Sequence, residues 1–204
     1  MKKQTNQAKK NVQKLVAFSV IFAGGLFITG CASNATVTGM SYSAAVTHNK
    51  VLSNNLVVTS VTGGSETNPL LASKVNNENM QAALVDSLKH ANLYAPANKA
   101  EYALNAKLEK LEQPFMGFDM TVSATASYDL INTHNKQSVW HKQISSKYTA
   151  TTSDAFVGAT RLRLANEGAI RNNIAELIKD LDDLKINGQA VKLSQVALNE
   201  TARG

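Results

Sequence analysis

Only one cysteine, three prolines and one tryptophan stand among 204 residues, and aromatics make up 6% of the chain. A lone thiol forms no internal disulfide and supplies no cysteine-rich zinc site, so aliphatic burial has to hold the fold. Pro69, Pro96 and Pro114 lie far apart, leaving long stretches between them open to strands and helices. Acidic residues are missing from the first 30 positions: all 15 come later, whereas 5 of the 21 Lys and Arg come before residue 31. Beyond residue 30 the chain therefore carries 16 basic against 15 acidic residues, a net charge of +1. The basic pI of about 9.4 is a property of the start of the chain. Without a clustered cationic face, nucleic acid is not expected as a partner.

What is present at the start has three parts. Met1 to Lys14 carries Lys2, Lys3, Lys9, Lys10 and Lys14 and no acid, as in a segment retained on the cytoplasmic side during export. Leu15 to Thr29 is apolar over about 15 residues, short of the roughly 20 that a helix needs to span hydrocarbon. The small residues Thr29 and Gly30 then precede Cys31, where a peptidase needs slim side chains on an extended backbone. This pattern reads as a cleaved export signal over residues 1–30.

The Ile28-Thr29-Gly30-Cys31 stretch resembles the lipobox of bacterial lipoproteins. That resemblance implies cleavage between Gly30 and Cys31 by a type II signal peptidase. It also implies a thioether-linked diacylglycerol on the Cys31 sulfur and a further acyl chain, such as palmitate, on its new amino group. Two or more chains anchor a protein stably, at about 0.8 kcal/mol per buried CH₂. Ala32 and Ser33 follow, with no Asp, which by the same resemblance implies sorting to the outer membrane with the domain facing the periplasm.

Residues 31–55 are rich in Ser, Thr, Asn, Ala and Gly and read as an acylated N-terminus followed by a flexible tether. A single domain is expected over 56–188, large enough for its own core, with a tail over 189–204. A chain beginning near Val51 is accordingly expected to fold cooperatively.

Leu56 to Val61, β-branched and closed by Gly63-Gly64, predicts a strand. Asn76 or Asn77 opens a helix carrying Met80, Ala83, Leu84 and Leu88 at helical spacing and reaching about Asn92. Tyr102, Leu104, Ala106 and Leu108 alternate with polar residues, and the same period runs from Phe118 to Leu130, long enough to predict a twist or bulge. Asn132 to Lys136 reads as a hairpin turn and Val139 to Tyr148 as the next strand. From Ser153 or Asp154 a long helix presents Leu162, Ala165, Ala169, Ile170, Ile174, Leu177, Ile178, Leu181 and Leu184 as one stripe, with Ile186-Asn187-Gly188 turning after it. The fold class is α+β, in the order β-α-β-β-β-α, with helices on one face of a largely antiparallel sheet.

Motifs for chemistry are few. His48, His90, His134 and His141 lack metal-ligand spacing, so no metal and no cofactor is expected. Asp180, Asp182 and Asp183 point around the end of a helix and read as solvated. Gly63-Gly64-Ser65 lacks the further glycines and the Lys of a phosphate loop, and no Gly-x-Ser-x-Gly motif occurs. Arg161 and Arg163 near a helix N-terminus oppose the helix dipole, and an ion-pair set of Glu167 with Arg163 and Arg171 is expected there. Asn173 is expected to bond a strand carbonyl. Trp140 and Tyr148 share a strand face with Lys142 and Ser146; this mixed face, Trp140, Lys142 and Tyr148 above all, is the candidate surface for a protein or amphiphile.

Together with the Cys31 motif, the stretches Asn76–Tyr94, Tyr102–Pro114 and Arg161–Leu181 resemble a group of uncharacterised proteobacterial outer-membrane lipoproteins. The order of elements is similar to that of YajG-type and ABC-transport auxiliary lipoproteins. The resemblance implies a lipid-anchored accessory or structural protein that binds an envelope protein or an amphiphile. One alternative is an auxiliary in lipid or glycolipid transport between membranes, which needs an apolar groove between helix and sheet. An acyltransferase is disfavoured, because such enzymes are built from hexapeptide repeats and this chain has none.

Overall fold

The computed structural model describes residues 32–43, 47–68 and 72–186. The chain divides into two units, Met1–Gly30 and Cys31–Gly204, and every described residue belongs to the second. The elements are α1 (Val37–Met40), β1 (Leu56–Thr62), α2 (Asn77–His90), β2 (Tyr102–Glu112), β3 (Met120–Asn132), β4 (Ser138–Ala150) and α3 (Gly158–Asp183). The four strands form one sheet in sequential order, with β1 parallel to β2 and the rest antiparallel. The expected α+β class and order hold, with α1 added in front.

Alternation decides which face is covered. Leu104, Ala106 and Leu108 of β2 and Val122, Ala124, Ala126, Tyr128 and Leu130 of β3 are buried against the helices, while Thr121 and its odd-numbered neighbours Ser123, Thr125 and Ser127 take the other face. That outer face is rich in hydroxyls, and Thr121 bonds Thr149 and Thr125 bonds Ser145 across the β3–β4 pair. The long strand β3 is itself regular: Thr59, Glu109 and Val139 are the extra residues, one in each of the other strands. Keeping the bulges out of β3 lets the sheet twist without flipping β3's buried set.

Helix α2 begins as expected, with the Asn76 side chain accepting from the Asn79 N–H. Helix α3 begins at Gly158, four residues after Asp154. The Asp154 carboxylate instead bonds back to the N–H and hydroxyl of Thr151, closing a turn that keeps the chain out of helix. Phe118 likewise lies outside β3, in the loop that precedes it.

Among the described residues, the buried side-chain polar atoms find hydrogen-bond partners except Arg161 Nε. Asn173 is fully buried and donates to the carbonyls of Ile144 (2.9 Å) and Ala124 (3.3 Å) and to Ser146 Oγ (3.1 Å), while its Oδ1 accepts from the Tyr128 hydroxyl at 2.8 Å. Burial raises the Tyr128 pKa and keeps this hydroxyl a donor.

The largest departure concerns residues 32–55, expected as a tether. Ala35, Met40 and Leu52 are fully buried in the common core. Composition misleads here because three well-placed apolar side chains, backed by polar contacts to distant elements, suffice to seat a short segment. Gly30, Cys31, residues 44–46 and the expected turn and tail from Asn187 onward lie outside the described residues.

Candidate functional site

Helix α3 holds the first described residues in place. Glu167 is buried, and its Oε1 accepts from the Thr36 N–H (2.8 Å), the Thr36 hydroxyl (2.9 Å) and Arg163 Nη1 (2.7 Å). The Thr36 hydroxyl in turn accepts from the Gly39 N–H and caps α1. Arg171 donates to the Gly39 carbonyl at 2.6 Å and lies 5.6 Å from the centre of the Tyr148 ring. Gly39 has to be glycine for space, since a Cβ there would lie 2.3 Å from the Glu167 carboxylate.

Immediately after Cys31 the chain is tied to the same region. Ser73 Oγ donates to the Ser33 carbonyl at 2.6 Å, and the Ser73 carbonyl accepts from Gln113 Nε2 at 2.7 Å and from the buried Asn166 at 3.1 Å. Asn34 Oδ1 accepts from the Thr67 N–H, and the Ala35 N–H donates to the Lys74 carbonyl at 2.9 Å. The segment that follows the cysteine thus docks on the loop between β1 and α2, through Thr67, Ser73 and Lys74, and on α3 through Glu167 and Arg171.

Arg161, outside the ion-pair set expected of Glu167, has a role of its own. Buried in the first turn of α3, it donates to the carbonyls of Ala155 (2.8 Å), Phe156 (2.6 Å) and Gly117 (3.4 Å), and so joins the β2–β3 loop to the β4–α3 loop. Arg163 makes the expected pair with Glu167, whereas Arg171, expected there too, donates to the Gly39 carbonyl instead.

The other end of α3 is closed by Asn49, whose Nδ2 donates to the carbonyls of Leu181 (2.7 Å) and Leu184 (2.8 Å). Asp182 accepts from the N–H groups of His48 and Asn49. Partial burial pushes its carboxyl up, but these two bonds and the His48 ring outweigh that and lower its pKa.

The mixed face of β4 is the covered one. Gly168 of α3 lies over Tyr148, where a Cβ would meet the ring at 2.2 Å. Trp140 is half-buried against the core, and Lys142 Nζ pairs with Asp180 at 2.6 Å. The three residues expected as a binding surface are therefore engaged within the domain, because Lys142 and Ser146 find partners on α3 that a strand pattern cannot show. Ser146, for example, donates to the Ala169 carbonyl at 2.8 Å.

Two open depressions flank α3 and share Asn172 and Glu176. One, about 460 Å³, is also lined by Tyr42, Lys179 and Asp182. The other, about 410 Å³, runs along β4 from Lys142 to Lys147. Both mix amide, carboxylate, ammonium and hydroxyl groups, the first with Ala175 and Ile178 beside them. His48, His90, His134 and His141 are dispersed, and no group of three or more His, Cys, Asp or Glu side chains suited to a metal occurs among the described residues. No helix among them is long and apolar enough to cross a membrane.

No protein-family model and no curated protein matches the sequence. Among solved structures, the chain is similar to protein XCC0632 from Xanthomonas campestris, a DUF330 protein, with TM-score 0.48 and 13% identity over 68% of this chain and 94% of that one. It is similar to a PelC dodecamer subunit from Paraburkholderia phytofirmans, with TM-score 0.44 and 16% identity over 70% and 94%. A minor lipoprotein from Acinetobacter baumannii gives TM-score 0.40 and 9% identity over 64% and 92%. At these identities and TM-scores, none of the likenesses bears on function.

Proposed function

We propose that the chain is a lipid-anchored protein of the bacterial envelope, acylated at Cys31 after cleavage behind Gly30, with an accessory or structural domain rather than a catalytic one. The observation that carries this reading is the tripartite start of the chain: an acid-free basic segment, about 15 apolar residues and small residues before the sole cysteine. Ala32-Ser33 after the cysteine supports the outer membrane, with the domain in the periplasm. The docked segment adds a mechanical consequence, since a domain seated from Ser33 onward has no spacer between itself and its anchor.

The accessory reading is supported by how the side chains are used. Glu167, Arg163, Arg161 and Asn173, the polar groups that burial would otherwise make reactive, are spent on holding segments together. The helix–sheet interior is filled by Tyr128, Leu130, Ile170 and Ile174, which leaves the lipid-transport alternative without its groove among the described residues. The partner we propose beyond the membrane is another envelope protein.

Replacing Cys31 by Ser tests the anchor. A fatty-acid probe should label the wild type and miss the variant, which should accumulate as uncut precursor. Labelled Cys31→Ser protein that still sediments with membranes at high salt refutes the reading.

A further inference from the structure

Past residue 30 the chain has only three phenylalanines, and all three are on the outside: Phe115 is 97% exposed, Phe118 85% and Phe156 93%. Met116, 74% exposed, and Val157 stand beside them. A scattered exposed apolar residue needs no explanation, but five large ones confined to two adjoining loops do. Core packing does not use them, for the aliphatic interior closes without any phenylalanine.

The two loops are held side by side. Arg161 reaches from α3 to the Ala155 and Phe156 carbonyls of one loop and the Gly117 carbonyl of the other, and the Asp154–Thr151 turn braces the first. Their backbone carbonyls are thus partly satisfied from within, while their apolar side chains face out.

The position of this apolar tip names its occupant. Gln113, two residues before Phe115, bonds the Ser73 carbonyl, and the Ser73 hydroxyl bonds the Ser33 carbonyl, two residues after Cys31. The proposed acylation point and the tip thus belong to the same end of the domain. We infer that Phe115, Met116, Phe118 and Phe156 enter the interfacial layer of the bilayer that holds the lipid anchor and fix the domain's orientation on it. The inference rests on the lipoprotein reading. With a net charge of +1 past residue 30, apolar burial rather than attraction to anionic head groups drives the contact.

Trp140, the only tryptophan, supplies a control. It pairs with Leu130, whereas the tip adjoins the Met120–Ala150 pair, ten residues or roughly 33 Å along the sheet. The acylated full-length protein is reconstituted into phosphatidylcholine vesicles with brominated acyl chains, and the emission of the wild type is compared with that of Phe118→Trp and Phe156→Trp. Wild-type emission should be unchanged by bromine. Each variant should lose at least about half of its added emission, since bromine quenches only on close approach within the bilayer. Both positions are exposed, so each variant should keep the wild-type melting temperature.

Added emission that stays unquenched while the protein floats with the vesicles overturns the inference and leaves the anchor standing. Blue-shifted but unquenched emission also overturns it, and assigns the tip to a second copy or another protein. Wild-type protein found to carry no acyl chain on Cys31 and to stay off the vesicles removes the anchor, and the inference falls with it.

Discussion

Replacing Glu167 by Ala should cost about 3 kcal/mol, because one buried oxygen serves three donors. Glu167 Oε1 accepts from the Thr36 N–H at 2.8 Å, the Thr36 hydroxyl at 2.9 Å and Arg163 at 2.7 Å. Hydrogen bonds to a charged group contribute about 1.5–3 kcal/mol each, and breaking one side of a buried pair costs about 3–5 kcal/mol. The lower end applies, since the Arg163 side chain is 24% exposed and regains water when its partner goes. Glu167→Gln keeps an acceptor for Thr36 and loses only the charge, so about 1 kcal/mol is expected. Urea unfolding reads both values as a shift in midpoint at constant slope. A double cycle with Thr36→Ala should show coupling of about 1 kcal/mol or more. A loss below about 1 kcal/mol for Glu167→Ala, with no coupling to Thr36, would refute the claim that this carboxylate seats the start of the domain.

Other perturbations probe the remaining joints. Gly168→Ala should destabilise by about 1–3 kcal/mol although alanine favours helices, because its Cβ would press on the Tyr148 ring; a stabilised variant in thermal unfolding would deny that contact. Tyr128→Phe should cost about 1–2 kcal/mol by leaving the buried Asn173 oxygen without its donor, and an unchanged melting temperature would argue against the pair. Asp182 has a lowered pKa when folded, so its contribution is full above the unfolded carboxylate range and is lost as pH falls through the lower folded value. Asp182→Asn should therefore flatten stability below about pH 4, and an identical acid limb in both proteins would contradict this. A chain beginning at Val51 should lose at least about 4 kcal/mol or fail to unfold cooperatively, since Ala35 and Met40 leave the core and Glu167 loses both Thr36 donors and keeps only Arg163; native-like unfolding would restore the tether.

The strands and the two long helices were legible because each buries one face, and alternation in Leu104–Leu108 or the 3.6-residue stripe from Leu162 to Leu181 records that directly. Asn173 could be read for the same reason, as a polar residue on an apolar stripe needs a partner in the adjacent sheet. Three features were hidden. The docking of residues 32–42 depends on Glu167, 131 positions away from Thr36, and no local pattern reports such a contact. The start of α3 moved because Asp154, a good cap in isolation, is drawn back to Thr151. Phe118 matched the period of β3 and was assigned to a buried face, yet the strand starts at Met120 and leaves it in water. The signal for the apolar tip was present all the same: three phenylalanines flank Pro114, Gly117 and Asp154, residues that favour loops over cores.

The central claim is that a folded domain starts within a few residues of the acylated cysteine, without a flexible spacer. Amide hydrogen exchange on the acylated protein in vesicles tests it most directly. The account predicts protection at Ala35, bonded to the Lys74 carbonyl, at Thr36, bonded to Glu167, and at Met40, bonded to the Thr36 carbonyl, with rates slowed together with those of Leu104 and Val122 in the sheet. Exchange at Ala35, Thr36 and Met40 at the rate of an unstructured chain, beside a protected sheet, would contradict it.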